Sequence, residues 1–255
     1  MQSKKSRPGI SVFFPAYNDA KSIGKLVADA LEILPSLADD YEIIVVNDGS
    51  TDETGEVLRQ LEARHKALRV VRHETNKGYG GALQSGFRAA RLDLIFYTDG
   101  DGQYDVGELK KLYALLDEKT DVVNGYKLER GDKINRKVVG GFYNRLAHLM
   151  FSLPVSDIDC DFRLIRKEFS DKIALSSTSG SICVELIYKL KRAGARFRET
   201  GVNHYERPFG KSQFFTVRRV TKTLLDFFFL WLRLVVLRKN GDNLLLFALI
   251  LSERL

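Results

Sequence analysis

At 255 residues the chain is long enough for one large α/β domain with room for an appendage. Its 44% apolar and 29% charged residues are ordinary for a globular protein, and 40 basic against 33 acidic residues leave it at +7. Two cysteines, Cys160 and Cys183, give neither a metal-ligand spacing nor a disulfide framework; as small buried hydrophobes they fit a reducing compartment.

Met1 to Gly9 is polar and basic, without the apolar run of a secretory signal. Ile10 to Phe14 reads as a short strand stopped by Pro15. Ile23, Val27, Ala30 and Leu34 recur at helical spacing. Tyr41 to Val46 is nearly all apolar, as in a strand buried on both faces. Ser50-Thr51-Asp52-Glu53 supplies a cap and acidic residues at a helix start, and Val57, Leu58 and Leu61 form that helix's inner face. Leu68 to Val71 predicts a third strand, Gly80 to Ala90 a third helix and Leu92 to Thr98 a fourth strand. This alternation predicts a mostly parallel sheet with helices on both faces, and such sheets hold ligands beyond the carboxyl ends of their strands.

That rule gathers the polar segments at four successive strand ends into one site. Pro15-Ala16-Tyr17-Asn18-Asp19 suits the flat face of a base. Asp48, in Asn47-Asp48-Gly49-Ser50, suits hydrogen bonds from a base or ribose. Lys77 and the backbone of Gly78-Tyr79-Gly80-Gly81, just before a helix N-terminus, suit phosphate or ribose oxygens. Asp99 and Asp101, one residue apart after the fourth strand, repel each other unless a cation lies between them. Hard oxygen ligands suit Mg²⁺ or Mn²⁺, whose shell substrate phosphates usually complete. Taken singly, each segment also reads as an ordinary turn or cap.

With these motifs the sequence resembles the family 2 glycosyltransferases of the GT-A (Rossmann-like) fold. Within them it is most similar to the polyprenyl-phosphate enzymes of the dolichyl-phosphate mannose synthase type. The matching segments are Phe14-Pro15-Ala16-Tyr17-Asn18-Asp19, Val45 to Asp52, Asn76 to Ala82 and Thr98-Asp99-Gly100-Asp101-Gly102-Gln103. Asp157 to Arg163 and Arg207-Pro208-Phe209-Gly210-Lys211-Ser212-Gln213 look like the family's acceptor-side segments. The resemblance implies that Asp48 contacts the base, that Asp99, Asp101 and Gln103 surround the divalent ion, and that Arg207 lies near the phosphates. Gly100 belongs to the same donor loop. Three positions depart from the family pattern: Asn47 stands where a second acid is common, Gln213 where a Lys is usual, and Asp161 where Gly is frequent.

The expected reaction is metal-dependent transfer of a sugar from a UDP- or GDP-linked donor; inversion is implied by the resemblance alone. Lys127, Arg130, Lys133, Arg136, Lys137, Arg145 and Arg163 form a basic set on the expected acceptor side, alternatively a solvated basic face. That set favours an anionic acceptor, and the resemblance implies that it is a polyprenyl phosphate, with Arg130, Arg136, Arg163 and Arg207 on its phosphate and Arg207 and Lys211 adding charge at the reaction centre. A hydroxyl acceptor on a sugar, protein or small molecule needs a general base, and Asp157, Asp159 and Glu185 are the candidates. Glu185 sits in a helical pattern where a structural ion pair is the competing reading. A module that binds nucleotide-sugars without catalysis is the remaining alternative.

Residues 1–213 are assigned to the catalytic domain and 214–255 to amphipathic, membrane-surface helices. Residues 214 to 255 hold seven basic and three acidic residues, hence +4 of the total. From Val217 to Leu237 the longest uncharged run is Phe227 to Leu232, far short of the ~20 residues a span needs. Basic charge, Trp231 and a wide apolar face suit a helix in the headgroup region, or one packed on the domain or in a homo-oligomer. Leu244 to Leu251 is likewise too short to cross. The chain is thus expected at the cytoplasmic face of a membrane. Phe227-Phe228-Phe229 is not interleaved with the basic residues, so nucleic acid is not an expected partner.

Overall fold

A computed structural model describes residues 7–130, 134–209 and 217–237, apart from the side chains of 129–130, 134–139 and 217–220. The chain runs β1 (Ile10–Ala16), α1 (Ile23–Leu37), β2 (Tyr41–Asn47), α2 (Thr54–Arg64), β3 (Leu68–Arg72), α3 (Gly78–Ala89) and β4 (Leu94–Thr98). A 3₁₀ turn at Val106–Glu108 leads into α4 (Leu109–Ala114), β5 (Val122–Arg130), α5 (Ile134–Phe151), β6 (Phe162–Arg166) and α6 (Lys167–Ser170). Then come α7 (Ile182–Arg192), β7 (Phe197–His204) and α8 (Val217–Trp231), which continues as a π-helical turn over Leu232–Val236.

The strands form one seven-stranded sheet in the order β3-β2-β1-β4-β6-β5-β7. β6 alone runs antiparallel to its neighbours β4 and β5; every other pairing is parallel. The expected α/β sheet is therefore present, and its reversed strand lies where the second half of the chain joins the first. β1 runs through Pro15 rather than stopping before it. The β1–β4 ladder ends at Phe13↔Tyr97, and beyond it the Pro15 carbonyl accepts the Gly100 N–H at 3.1 Å. A residue without an N–H is tolerated there because no ladder bond is asked of it.

Alternation along the strands sends side chains into two cores, one on each face. Ile10, Val12 and Phe14 face α1, whose Ile23, Leu26, Val27, Ala30, Ile33 and Leu34 are all buried. Phe13, Ile44, Ile95 and Tyr97 face α3, α5, α7 and α8. Thr223, Phe227, Leu230 and Leu234, spaced for one helical stripe, are the buried positions among the described side chains of α8 and its continuation. Its other side is also apolar, with Leu224, Leu225 and Phe228 each about half exposed (45%, 50% and 49%). Among the described residues no helix is long and apolar enough to cross a membrane.

The second core also encloses Arg163, which is 0% exposed. Its guanidinium donates to Asn124 Oδ1 at 2.5 Å, to Asp161 Oδ1 at 2.6 Å, to the Tyr97 hydroxyl and to the Ile158 carbonyl. A buried cation is tolerated only when its donors are met in this way. The cluster joins β4, β5 and β6 to the loop that precedes β6. Cys160 and Cys183 are buried thiols outside any disulfide, in accord with their reading as small hydrophobes.

Candidate active site

The carboxyl ends of β1, β2 and β4 and the start of α3 meet at one edge. Asp48 N–H donates to the Ala16 carbonyl at 2.9 Å, and Asn18 Oδ1 accepts the Thr51 N–H at 2.8 Å, tying the β1 loop to the β2 loop. Asp19 Oδ2 accepts the Tyr17 N–H at 3.0 Å, and Asp19 N–H donates to Thr54 Oγ1 at 2.9 Å. Asp52 Oδ1 accepts the Thr54 N–H at 2.9 Å, so the predicted acidic start of α2 is present. Two glycines are sterically required for this closeness. A Cβ on Gly49, whose φ is +68°, would lie 2.6 Å from the Asn76 nitrogen, and one on Gly100 would lie 2.4 Å from the Pro15 carbonyl oxygen.

Asp48 is a buried floor of this site. Its Oδ1 accepts the Lys77 N–H at 2.9 Å and lies 2.5 Å from His73 Nδ1, while His73 Nε2 lies 2.9 Å from Ser85 Oγ. Asp48 thus fixes the Asn76–Lys77 turn, a task the sequence reading did not give it. The Lys77 residue itself is exposed at the mouth. α3 begins at Gly78, two residues earlier than predicted, and the Gly80 N–H is already taken by the Thr178 carbonyl at 3.0 Å. The backbone left for phosphate oxygens is correspondingly smaller than expected.

Asp99 and Asp101 follow β4 as expected. The Tyr79 hydroxyl donates to Asp99 Oδ1 at 2.7 Å. Burial pushes the Asp99 carboxyl well above the usual range, and the nearby Asp161 and Asp101 charges add to that, against the Tyr79 bond and Lys127. Asp19 is raised to about 6, first by burial, with the Tyr17 N–H and Arg207 opposing and Asp101 and Asp52 adding to it. Asp101 Oδ1 accepts the Gln103 N–H at 3.0 Å, and Arg207 Nη2 lies 2.7 Å from Asp101 Oδ2. The Gln103 side chain donates to the Tyr205 carbonyl at 2.9 Å, holding the residues after β7 against this loop. Among the described residues no group of three or more His, Cys, Asp or Glu side chains is placed to hold a metal ion. The donor set at Asp99 and Asp101 is hard, anionic oxygen, which fits Mg²⁺ or Mn²⁺ with the remaining ligands drawn from substrate.

The acceptor-side expectations fare unevenly. Arg163 is corrected: it is fully buried with its donors engaged, so it is not available to an acceptor phosphate. Glu185 is corrected as well. It is 0% exposed and accepts from Ser176 and Ser177 N–H, from Lys189 Nζ at 2.6 Å and from Arg233 Nη2 at 3.3 Å. That is the structural ion pair, and it pins α8 and α7 to residues 176–177. Asp157 is buried and its Oδ2 accepts the Lys127 N–H at 3.3 Å; Lys127 Nζ donates to the Asp159 carbonyl at 2.7 Å. Arg130 and Arg136 lie on β5 and α5 with side chains outside the described residues, and Lys211 lies outside them altogether. Tyr79, His73 and Asp161 were missed as site residues. For Asp161 the signal was present as a carboxylate where the family pattern has Gly; for Tyr79 only its place between glycines marked it.

A model of the family described as glycosyl transferase family 2 matches residues 11–174. The chain belongs to that family. Solved structures show the same fold around this family 2 glycosyltransferase. Glucosyl-3-phosphoglycerate synthase from Mycobacterium tuberculosis, in complex with Mn²⁺, UDP-glucose and phosphoglyceric acid, is 17% identical with a TM-score of 0.67, over 88% of this chain and 80% of that one. The mannosyltransferase PcManGT from Pyrobaculum calidifontis, in complex with GDP-mannose and Mn²⁺, is 21% identical with a TM-score of 0.65, over 90% of this chain and 65% of that one.

Burial alone raises the Glu185 carboxyl, but the Lys189 bond, the Ser177 bonds and the Lys189 charge outweigh it and hold it at about 2. A carboxyl depressed on folding stabilises the fold fully above its unfolded value near ~4.3, and that contribution is lost as pH falls toward 2. Glu185→Gln is expected to cost about 3 kcal/mol at pH 7. In urea denaturation the gap between variant and parent narrows from pH 7 to pH 3. An equal gap at both values would contradict this origin.

Proposed function

We propose that this glycosyltransferase moves a sugar from a nucleoside diphosphate donor to a polyprenyl phosphate at a membrane surface, with Mg²⁺ or Mn²⁺ and with inversion. The donor half of the reading is carried by Asp99 and Asp101, crowded at the end of β4 with Arg207 as counter-cation. Asp99, fixed by Tyr79, and Asp101 would hold the ion beside Gln103. Such an ion supplies Lewis-acid stabilisation of the charge that grows on the leaving diphosphate. Arg207 lies within reach of the same charge, and Lys77 stands at the mouth. With Oδ1 of Asp48 occupied by His73 and the Lys77 N–H, its Oδ2 is the atom assigned to the base or ribose, with Tyr17 on the neighbouring loop. The reaction breaks the bond between the anomeric carbon and the diphosphate oxygen and forms one to the acceptor oxygen. A lipid monophosphate is already an anion near neutral pH, so the step needs cationic positioning rather than proton removal; Arg130, Arg136 and Lys211 are assigned to it.

The lipid half is supported by apolar surface on α5 and α8. Phe142 (68% exposed) and Leu149 (81%) of α5 stand out into solvent, and Leu224, Leu225 and Phe228 of α8 are half exposed. Between the two helices and α7 runs a groove of about 630 Å³ lined by Leu149, Phe151, Trp231 and Val235, with Lys191 and Arg192 at its rim. An apolar face edged with basic charge suits anionic headgroups. A second reading, transfer to a hydroxyl of a small anionic acceptor, is supported by the fold shared with the synthase crystallised with phosphoglyceric acid. It would draw its base from Asp157 or Asp159.

Purified protein is tested with labelled UDP- and GDP-sugars, Mg²⁺ or Mn²⁺ and a polyprenyl phosphate. Label is expected in the organic phase with one donor, and Asp101→Ala reduces that transfer at least ~100-fold, the scale of losing a main electrostatic contact. Donor consumption without organic-phase label favours the second reading. No consumption of any donor contradicts both.

Because Phe227 and Leu230 are buried in the second core, removing α8 would damage the domain, and the membrane test uses its exposed side instead. Leu225→Asp together with Phe228→Asp is expected to release the protein from anionic vesicles in flotation while the melting temperature stays unchanged. Flotation equal to the parent would contradict the assignment of this face.

A further inference from the structure

Both oxygens of Asp101 are already engaged in the protein: Oδ1 by the Gln103 N–H and Oδ2 by Arg207 Nη2 at 2.7 Å. Asp101 is only 8% exposed, so this pair is not a passing surface contact. Arg207 is delivered to it by a strap, residues 204–208, that is fastened to the loop after β4. Tyr205 N–H donates to the Gln103 carbonyl at 2.9 Å, and Gln103 Nε2 returns a bond to the Tyr205 carbonyl at 2.9 Å. Tyr104 and His204 form an antiparallel bridge, and the Pro208 ring lies beside Gly102. The guanidinium therefore occupies the space in front of the oxygen that a divalent ion on Asp101 would need.

A guanidinium and a divalent cation cannot both be held against one carboxylate oxygen without strong like-charge repulsion. A nucleoside diphosphate changes that balance, because it brings oxygens that a guanidinium binds well in bidentate fashion. We propose that Arg207 holds the cation's place on Asp101 until a nucleoside diphosphate arrives, so that metal entry requires Arg207 to pass from Asp101 to the diphosphate. The inference rests on the donor reading given above and adds to it a specific role for Arg207. The arginine makes metal binding conditional on the donor. Metal alone binds poorly, metal and diphosphate bind with strong mutual reinforcement, and by linkage each raises the other's affinity by the same factor.

The test measures Mn²⁺ uptake by the full chain from the loss of the free-ion EPR signal, first with Mn²⁺ alone and then with UDP or GDP present. Parent, Arg207→Gln and Arg207→Lys are compared, with melting temperatures as the check on folding. Arg207→Gln is expected to bind Mn²⁺ alone roughly fivefold or more tightly than the parent, and Mn²⁺ with nucleotide more weakly by a similar factor. Arg207→Lys, which keeps the charge without the planar fork, falls between the two in both measurements. The opposite signs of the two changes separate this role from a structural one, since a loosened strap would weaken both. Mn²⁺ alone bound no better by Arg207→Gln overturns the proposal. Tighter Mn²⁺ alone with unchanged nucleotide-dependent binding overturns the handover. No Mn²⁺ uptake by the parent with either nucleotide overturns the donor reading itself, and the role of Arg207 falls with it.

Discussion

Negative charge crowded at the carboxyl edge of the sheet is the constraint around which this molecule is arranged. Asp99 feels Asp161 and Asp101, and Asp19 feels Asp101 and Asp52, all in a partly dehydrated setting. Carboxylates so placed either take up protons or are met by cations and donors. The protein meets them with Arg207 on Asp101, Arg163 on Asp161, the Tyr79 hydroxyl on Asp99 and His73 with the Lys77 N–H on Asp48. These partners come from β6, from α3 and its N-terminal turn, from the segment after β3 and from the strap after β7, so satisfying the charge also fixes those parts relative to one another.

The reversed strand β6 has a specific part in this. By entering the sheet antiparallel between β4 and β5 it brings the 157–161 loop to the same edge as Asp99. Arg163, one residue into that strand, then lies beneath the site and not in it. The buried Glu185 has a parallel task on the other side of the edge. It gathers Ser176, Ser177, Lys189 and Arg233, and the segment it holds receives the start of α3 through the Thr178 carbonyl. The helix that presents apolar side chains outward is thereby tied through Arg233 to the segment bordering the candidate site.

The first half of the fold was legible because its strands are uniformly apolar and its helices periodic, and because four polar motifs fall at four strand ends. Errors there are of one or two residues: β1 crosses Pro15, and α3 starts two residues early, taking in Gly78 and Tyr79. The placing of Asp99 and Asp101 just past the fourth strand was equally legible, because the strand before them is apolar up to Thr98. Charged residues beyond Asp101 were not, because an arginine looks the same in sequence whether it faces substrate or core. Arg163 did carry a faint sign of its fate, standing between Phe162 and Leu164 in a strand where a charged face would need an open neighbour. Glu185 carried one too, within Ile182, Leu186 and Leu190. The pairing of Arg207 with Asp101 spans 106 positions and leaves no local trace.

The most direct test of the central claim is to locate the cation itself. Crystals grown with Mn²⁺ and the nucleoside diphosphate the protein binds are measured at the manganese absorption edge. The account predicts an anomalous peak in ligand contact with Asp101 and the diphosphate, with Arg207 moved off Asp101. A peak elsewhere, or a diphosphate bound at this edge with Arg207 still on Asp101 and no manganese beside it, would contradict it.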